Sequence, residues 1–239
     1  MIPRLIHQTV PDKAGMHDDF RANVARIKRD NPDFRHSLYE DEDVERYIRD
    51  QLGADIYGFY QRINPIYGAA RADFFRYLLM YDLGGVYLDI KSTLTRPLNS
   101  VLHTDKYHLS HWRNQPGERY ENAGIYPQVG VSNEFQQWHI VAPPRHPFLH
   151  AVITRVMSNI QNYRAKDFGT GKNGVLLTTG PLAYTRSIQP ILHLHPHTLV
   201  DIETLGFRYT IYEGSTDLFA HMRRFENHYS DADFEPVVI

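Results

Sequence analysis

The chain has no cysteine, two tryptophans and a formal charge of only −2. It also has no apolar run approaching the ~20 residues of a membrane span. The missing cysteines exclude disulfides, zinc–thiolate centres and cysteine nucleophiles, and they suit a reducing compartment. A pI near 6.7 leaves no electrostatic footprint for nucleic acid. Met1-Ile2-Pro3-Arg4 leads straight into a strand pattern, without the charged start and apolar run of a signal peptide. The expected location is therefore cytoplasmic, with at most peripheral contact at the inner membrane face.

What is present suits one globular unit. The 239 residues are 42% hydrophobic and 23% charged, enough apolar material for a sizeable core. Sixteen tyrosines and twelve phenylalanines suit an aromatic core, the commoner case, or a carbohydrate-facing cleft.

Leu5-Ile6-His7-Gln8 reads as a first strand and Phe34–Tyr39 as a second. Helices are predicted over Phe20–Asn31, from Asp41 to Leu52, and over Ile56–Arg62. Beyond Pro97, a strand is expected at Tyr107–Ser110, a helix from Leu149 to about Tyr163 and another over Leu182–Gln189. Arg113–Gly124 and Arg164–Asn173 read as loops, and His193–Tyr212 as short strands with turns.

The most informative stretch is 68–93. Ala70, Phe74, Tyr77, Leu78 and Tyr81 are spaced for one buried helical face. Gly84-Gly85 stops that helix, one of the pair being expected at positive φ. Val86-Tyr87-Leu88 then forms a strand with Asp89 at its carboxyl end, where ligands bind in open α/β sheets. Asp73 and Arg76, i and i+3 on the helix, can reach the same point.

These residues also carry a resemblance. Arg71, Asp73, Arg76, Tyr77, Leu79, Tyr81, Gly84, Gly85, Tyr87 and Asp89 resemble the R-x-x-D-x-x-R-Y-x-x-L-Y-x-x-G-G-x-Y-x-D-x-D pattern of glycosyltransferase family 32. Arg71 lies one position nearer Asp73 than that spacing. Ile2-Pro3-Arg4-Leu5-Ile6-His7-Gln8-Thr9 is similar to the family's I-P-x-I-I-H-Q-T-W opening, with Val10 in place of the Trp. The family includes yeast initiating mannosyltransferases and the clostridial glucosylating toxins.

The resemblance implies an α/β fold of the GT-A kind, a Rossmann-like mixed sheet with helices on both faces. It implies one domain over 1–239, with donor-nucleotide binding in 1–100 and the acceptor side in 101–239. The implied activity is retaining transfer of a sugar from a UDP- or GDP-sugar to a saccharide or lipid-linked glycan, as in polysaccharide biosynthesis. Asp89, Asp73 and Arg76 are the implied catalytic residues. Ile6, His7, Gln8, Arg71, Tyr77, Gly85, Lys91, Thr179 and Gly180 are the implied donor-binding residues. His7 reads equally as a core histidine.

Lys91 stands where the family's D-x-D has its second acid, the more direct ligand of Mn²⁺ or Mg²⁺. A lysine cannot bind metal while protonated, but it can neutralise phosphate. Two arrangements follow. Lys91 replaces part of the metal's charge, or it points away while Asp89 holds metal with Asn227, His228 or Asp231. The second leaves Asp89 better compensated and is the expectation. His193, His195 and His197 would share one face of a strand, but Pro196 argues against a regular strand and hence a metal site. The alternatives are a sugar-nucleotide or glycan-binding module without catalysis, or a toxin-like transferase acting on a protein hydroxyl.

Overall fold

The computed structural model describes residues 1–212 and 234–237. The amino-terminal half runs β1 (Leu5–Thr9), α1 (Asp18–Asp30), β2 (Arg35–Tyr39), α2 (Asp41–Tyr47) and α3 (Ala54–Gln61), with a π-helical turn between α2 and α3. α4 (Gly68–Leu83), β3 (Gly85–Leu88) and β4 (Thr93–Leu94) follow. The second half holds β5 (Tyr107–Leu109), β6 (His139–Ala142), α5 (Pro147–Gln161), α6 (Ala165–Phe168), α7 (Gly171–Thr178) and α8 (Pro181–Ile188). It closes with β7 (His197–Leu199) and β8 (Phe207–Arg208).

The main sheet has the order β2-β1-β3-β6-β5-β7. β1 is parallel to both β2 and β3, whereas β6 runs antiparallel to β3 and β5. β1 thus has β2 on one side and β3 on the other, and the crevice beyond their carboxyl ends is the switch point of the sheet. β4 and β8 form a separate antiparallel pair.

β3 is buried throughout because both of its faces are covered. Val86 and Leu88 pack with Ile6, Ile27, Trp138 and Phe207 on the α1 side. Tyr87 packs on the opposite side with α4, α5 and α8, where the larger core holds Phe74, Phe75, Tyr77, Phe148 and Tyr184. α4 departs from a single buried stripe. Every residue from Asp73 to Met80 is buried, since the sheet, α5 and α7 surround the helix.

The helix ends in two glycines at positive φ, Gly84 (64°) and Gly85 (100°). A Cβ on Gly85 would lie 2.7 Å from the Leu5 carbonyl oxygen, and one on Gly84 2.6 Å from the Pro144 nitrogen. Both positions therefore require glycine twice over, for conformation and for space. Two local differences from the sequence expectation stand out. The Arg164–Asn173 loop is replaced by α6 and the start of α7. The carboxyl-terminal third has one 3₁₀ turn before its two short strands and one between them. Among the described residues no helix is long and apolar enough to cross a membrane.

Candidate active site

Four charged side chains converge where β3 ends. Asp73 and Arg76 come from successive positions on the inner surface of α4. Asp89 follows β3 directly, and Lys91 folds back from the turn after it. The Arg76 guanidinium lies 3.2 Å from Asp73 Oδ1 and 3.0 Å from Asp89 Oδ1. Lys91 Nζ lies 2.5 Å from Asp89 Oδ2. Asp89 is the most open of the four, with 17% of its side chain exposed against 12% for Lys91 and 5–6% for the helix pair.

The surrounding backbone fixes this cluster. Asp89 N–H donates to the Trp138 carbonyl at 2.9 Å, continuing the β3–β6 ladder. Gln8 Nε2 reaches the Asp89 carbonyl at 3.3 Å, and its Oε1 meets His36 Nε2 at 2.8 Å. Beyond Asp89, the turn is held from both sides. Asn23 Nδ2 donates to Ser92 O, Ser92 Oγ donates to Tyr209 O, and Ile211 N–H donates to Lys91 O, each at 2.8 Å. The Tyr209 ring lies 4.5 Å beneath the Lys91 ammonium, and the Tyr87 ring lies 4.8 Å from the Arg76 guanidinium. Thr9 Oγ1 and Tyr87 Oη, 2.9 Å apart, join the ends of β1 and β3.

Burial and pairing act against each other here. Burial would lower the basicity of Arg76 and Lys91, but the Asp89 carboxylate overrides it and both pKa values are raised. Asp73 is pushed up by burial, against the counter-pull of Arg76 and of hydrogen bonds from Gln137 and Thr179.

The sequence singled out Asp73, Arg76, Asp89 and Lys91, and the fold brings all four together. It gives other candidates different work. His7 Nε2 donates to the Gly84 carbonyl at 3.2 Å, and Nδ1 lies 3.3 Å from Tyr39 Oη. Burial pushes its pKa down to about 4, so it is a neutral core histidine that braces the glycine turn. Ile6 is core. Tyr77 is fully buried, stacked on Tyr184, with its hydroxyl donating to the Thr179 carbonyl at 2.9 Å. It is a packing residue, not a donor contact. Arg71 turns to Glu45 (3.2 Å), the Ile63 carbonyl (3.1 Å) and the Tyr60 ring.

Thr179 Oγ1 donates to Asp73 Oδ2 at 3.1 Å. The amides of Thr179 and Gly180 both donate to Val175 O, so neither is offered to an anion. Gly85 contributes only its conformation. His195 and His197 lie near His146 and Phe148, at the β7 edge of the sheet. Asn227, His228 and Asp231 lie outside the described residues.

Two contributors escaped the sequence. Gln137 Nε2 donates to Asp73 Oδ1 at 3.0 Å, and its Oε1 and carbonyl accept from Arg76 at 2.8 and 2.9 Å. The polar pair Gln136-Gln137 inside an apolar run was the only signal. Tyr209, the seat of Lys91, lies in a stretch with no motif.

The described residues do not make a metal-ligand set. No group of three His, Asp or Glu side chains among them is placed to hold an ion. Asp89 has a cation on each oxygen, and Asp73 is occupied by Arg76, Gln137 and Thr179.

The fold is of the GT-A kind. A family model described as "Glycosyltransferase sugar-binding region containing DXD motif" matches residues 17–108. The initiation-specific alpha-1,6-mannosyltransferase of Schizosaccharomyces pombe is 26% identical over 237 residues, covering 88% of this chain and 54% of the relative. Inositol phosphoceramide mannosyltransferase 2 of the same yeast is 26% identical over 230 residues, covering 90% and 58%. The chain spans about half the length of these relatives. Among solved structures, the PaToxG glycosyltransferase superposes with a TM-score of 0.53 at 14% identity, over 81% of this chain and 71% of that one. The UDP-bound glycosyltransferase domain of the YGT toxin gives 0.53 at 9% identity, over 90% and 82%. These structures share the fold.

Proposed function

We propose that the protein is a glycosyltransferase that moves a sugar from a nucleoside-diphosphate donor to a hydroxyl of a glycan or lipid-linked glycan, with retention at the anomeric carbon. The carrying observation is the convergence of Asp73, Arg76, Asp89 and Lys91 at the carboxyl edge of β3, beside the switch point of the sheet. Relatives named as mannosyltransferases support mannose as the first donor sugar to test.

In this reading the nucleotide lies over the ends of β1 and β3. Asp89, the most exposed acid, accepts hydrogen bonds from donor hydroxyls. Arg76 is committed to Asp73, Asp89 and Gln137, so its work is to hold Asp89 in place. The acceptor oxygen bonds to the anomeric carbon as the bond from that carbon to the diphosphate breaks. The hydroxyl proton leaves with the diphosphate. The residues contribute orientation and fixed charge, and none needs to act as a covalent nucleophile.

The test is nucleotide release from a panel of UDP- and GDP-sugars, including those of mannose, with simple glycosides as acceptors. One donor should turn over in the wild type and not in Asp89→Asn. A donor that binds without any turnover, whatever the acceptor, would favour a binding module instead.

A further inference from the structure

In the D-x-D arrangement that names the family, the residue two beyond Asp89 is a second carboxylate. With an acid there, Asp73, Arg76, Asp89 and that acid would carry two net negative charges. That equals the charge one divalent cation cancels. With Lys91 the same four positions are neutral in sum. The exchange of acid for ammonium supplies two positive charges, as many as the ion would.

The geometry carries the same message. Lys91 Nζ is 2.5 Å from Asp89 Oδ2, and Arg76 Nη1 is 3.0 Å from Oδ1. A metal binding Asp89 would have to displace one cation and then sit beside it. Lys91 is also held in position. Its ammonium rests 4.5 Å over the Tyr209 ring, and its carbonyl accepts from Ile211. Asn23 and Tyr209 clamp the next residue. An ammonium fixed in this way, beside Asp89 at the carboxyl end of β3, can meet a phosphate oxygen with little reorganisation.

We infer that Lys91 is the diphosphate-binding cation of this site, and that the nucleotide binds without a divalent metal. The inference rests on the nucleoside-diphosphate reading above. It differs from the metal expectation drawn from the sequence, which now depends on residues 227–231.

Calorimetric titration of UDP and GDP into the full chain tests it, in excess EDTA and again with Mn²⁺. One nucleotide should bind in EDTA, with an affinity that Mn²⁺ changes less than threefold. Lys91→Met keeps an aliphatic stem over Tyr209 and should weaken that nucleotide at least tenfold in EDTA. Its affinity for the matching nucleoside, which lacks phosphate, should be unchanged. Lys91→Arg, which keeps the charge, should stay within a few-fold of wild type and guards against a merely structural effect. Lys91→Asp should bind the nucleotide only when Mn²⁺ is added.

Wild-type binding that requires Mn²⁺ would overturn the inference while leaving the functional reading intact. Equal binding of the nucleotide by wild type and Lys91→Met in EDTA would do the same. Failure of both nucleotides to bind under either condition would instead remove the functional reading, and this inference with it.

Discussion

Arg76 and Asp89 meet at 3.0 Å across the seam between α4 and the end of β3, with 6% and 17% of their side chains exposed. Breaking a buried pair by removing one partner leaves an uncompensated charge, typically at a cost of about 3–5 kcal/mol. Arg76→Met leaves both Asp73 and Asp89 short of a partner and should fall in that range by urea denaturation. Arg76→Lys should recover only part of it, because an ammonium lacks the planar fork that serves two carboxylates and Gln137 together. A melt of Arg76→Met indistinguishable from wild type would show that the pair does not organise the site.

Asp73 calls for a distinction that the sequence did not reveal. The sequence offers it only as an implied catalytic residue. Asp73 is buried, however, and holds Arg76, Gln137 and Thr179. Asp73→Ala should therefore also destabilise, by about 2 kcal/mol or more, through the unpaired buried groups it leaves. Asp73→Asn keeps the shape: its Oδ1 can still accept from Gln137, and its Nδ2 can donate to the Thr179 hydroxyl. It should lower transfer at least tenfold with a melting temperature within a few degrees of wild type. Full transfer by a folded Asp73→Asn would remove this carboxylate from the chemistry.

Gly84 and Gly85 couple the end of α4 to the start of β3, and so set the position of Asp89. Both have positive φ, and both would place a Cβ under 3 Å from the backbone of a neighbouring segment. Gly85→Val should cost at least about 2 kcal/mol, by strain and overpacking combined. It should also push β3 away from Leu5 in β1. A variant crystal structure in which β1 and β3 keep their register without loss of stability would contradict this account.

The local pattern was legible where one segment determined its own structure. The α4–Gly-Gly–β3 run is such a case, because a helix, its glycine stop and an apolar strand are all written in adjacent residues. Asp73, Arg76 and Asp89 could be placed because helix spacing and strand direction fix where they point. His7 and Tyr77 could not, since their partners, the Gly84 carbonyl, Tyr39 and Tyr184, come from distant segments. The sequence shows a histidine or tyrosine at a suggestive place, and only the fold shows that its polar atoms are already occupied. Gln137 and Tyr209 were hidden for the converse reason. They reach the site from the residue pair just before β6 and the residue just after β8, whose approach depends on how the main sheet and the β4–β8 pair come together.

Glu134 offers a test that is independent of turnover. Its Oε1 accepts from Trp112 Nε1 at 2.7 Å, while Oε2 is buried without a hydrogen-bond partner among the described residues. Burial pushes its pKa up to about 7 from 4.5, with the Trp112 hydrogen bond and Lys172 pulling the other way. A carboxyl whose folded pKa is raised stabilises the fold fully below the unfolded value. That contribution is lost as pH climbs through the folded one. Between pH 4.5 and 7 Glu134 should therefore remove stability as pH rises, by about 3 kcal/mol in total. His139, pushed down to about 3, and His7 and His36, pushed down to about 4, act in the opposite sense because their neutral forms are favoured on folding. The wild-type curve alone mixes these effects, so the informative quantity is the difference from Glu134→Gln, which keeps an acceptor for Trp112 and cannot ionise. Urea unfolding at pH 5, 6, 7 and 8 should show Glu134→Gln gaining on wild type up to pH 7 and levelling off by pH 8. Parallel curves for the two proteins would mean that Glu134 titrates alike in the folded and unfolded chains.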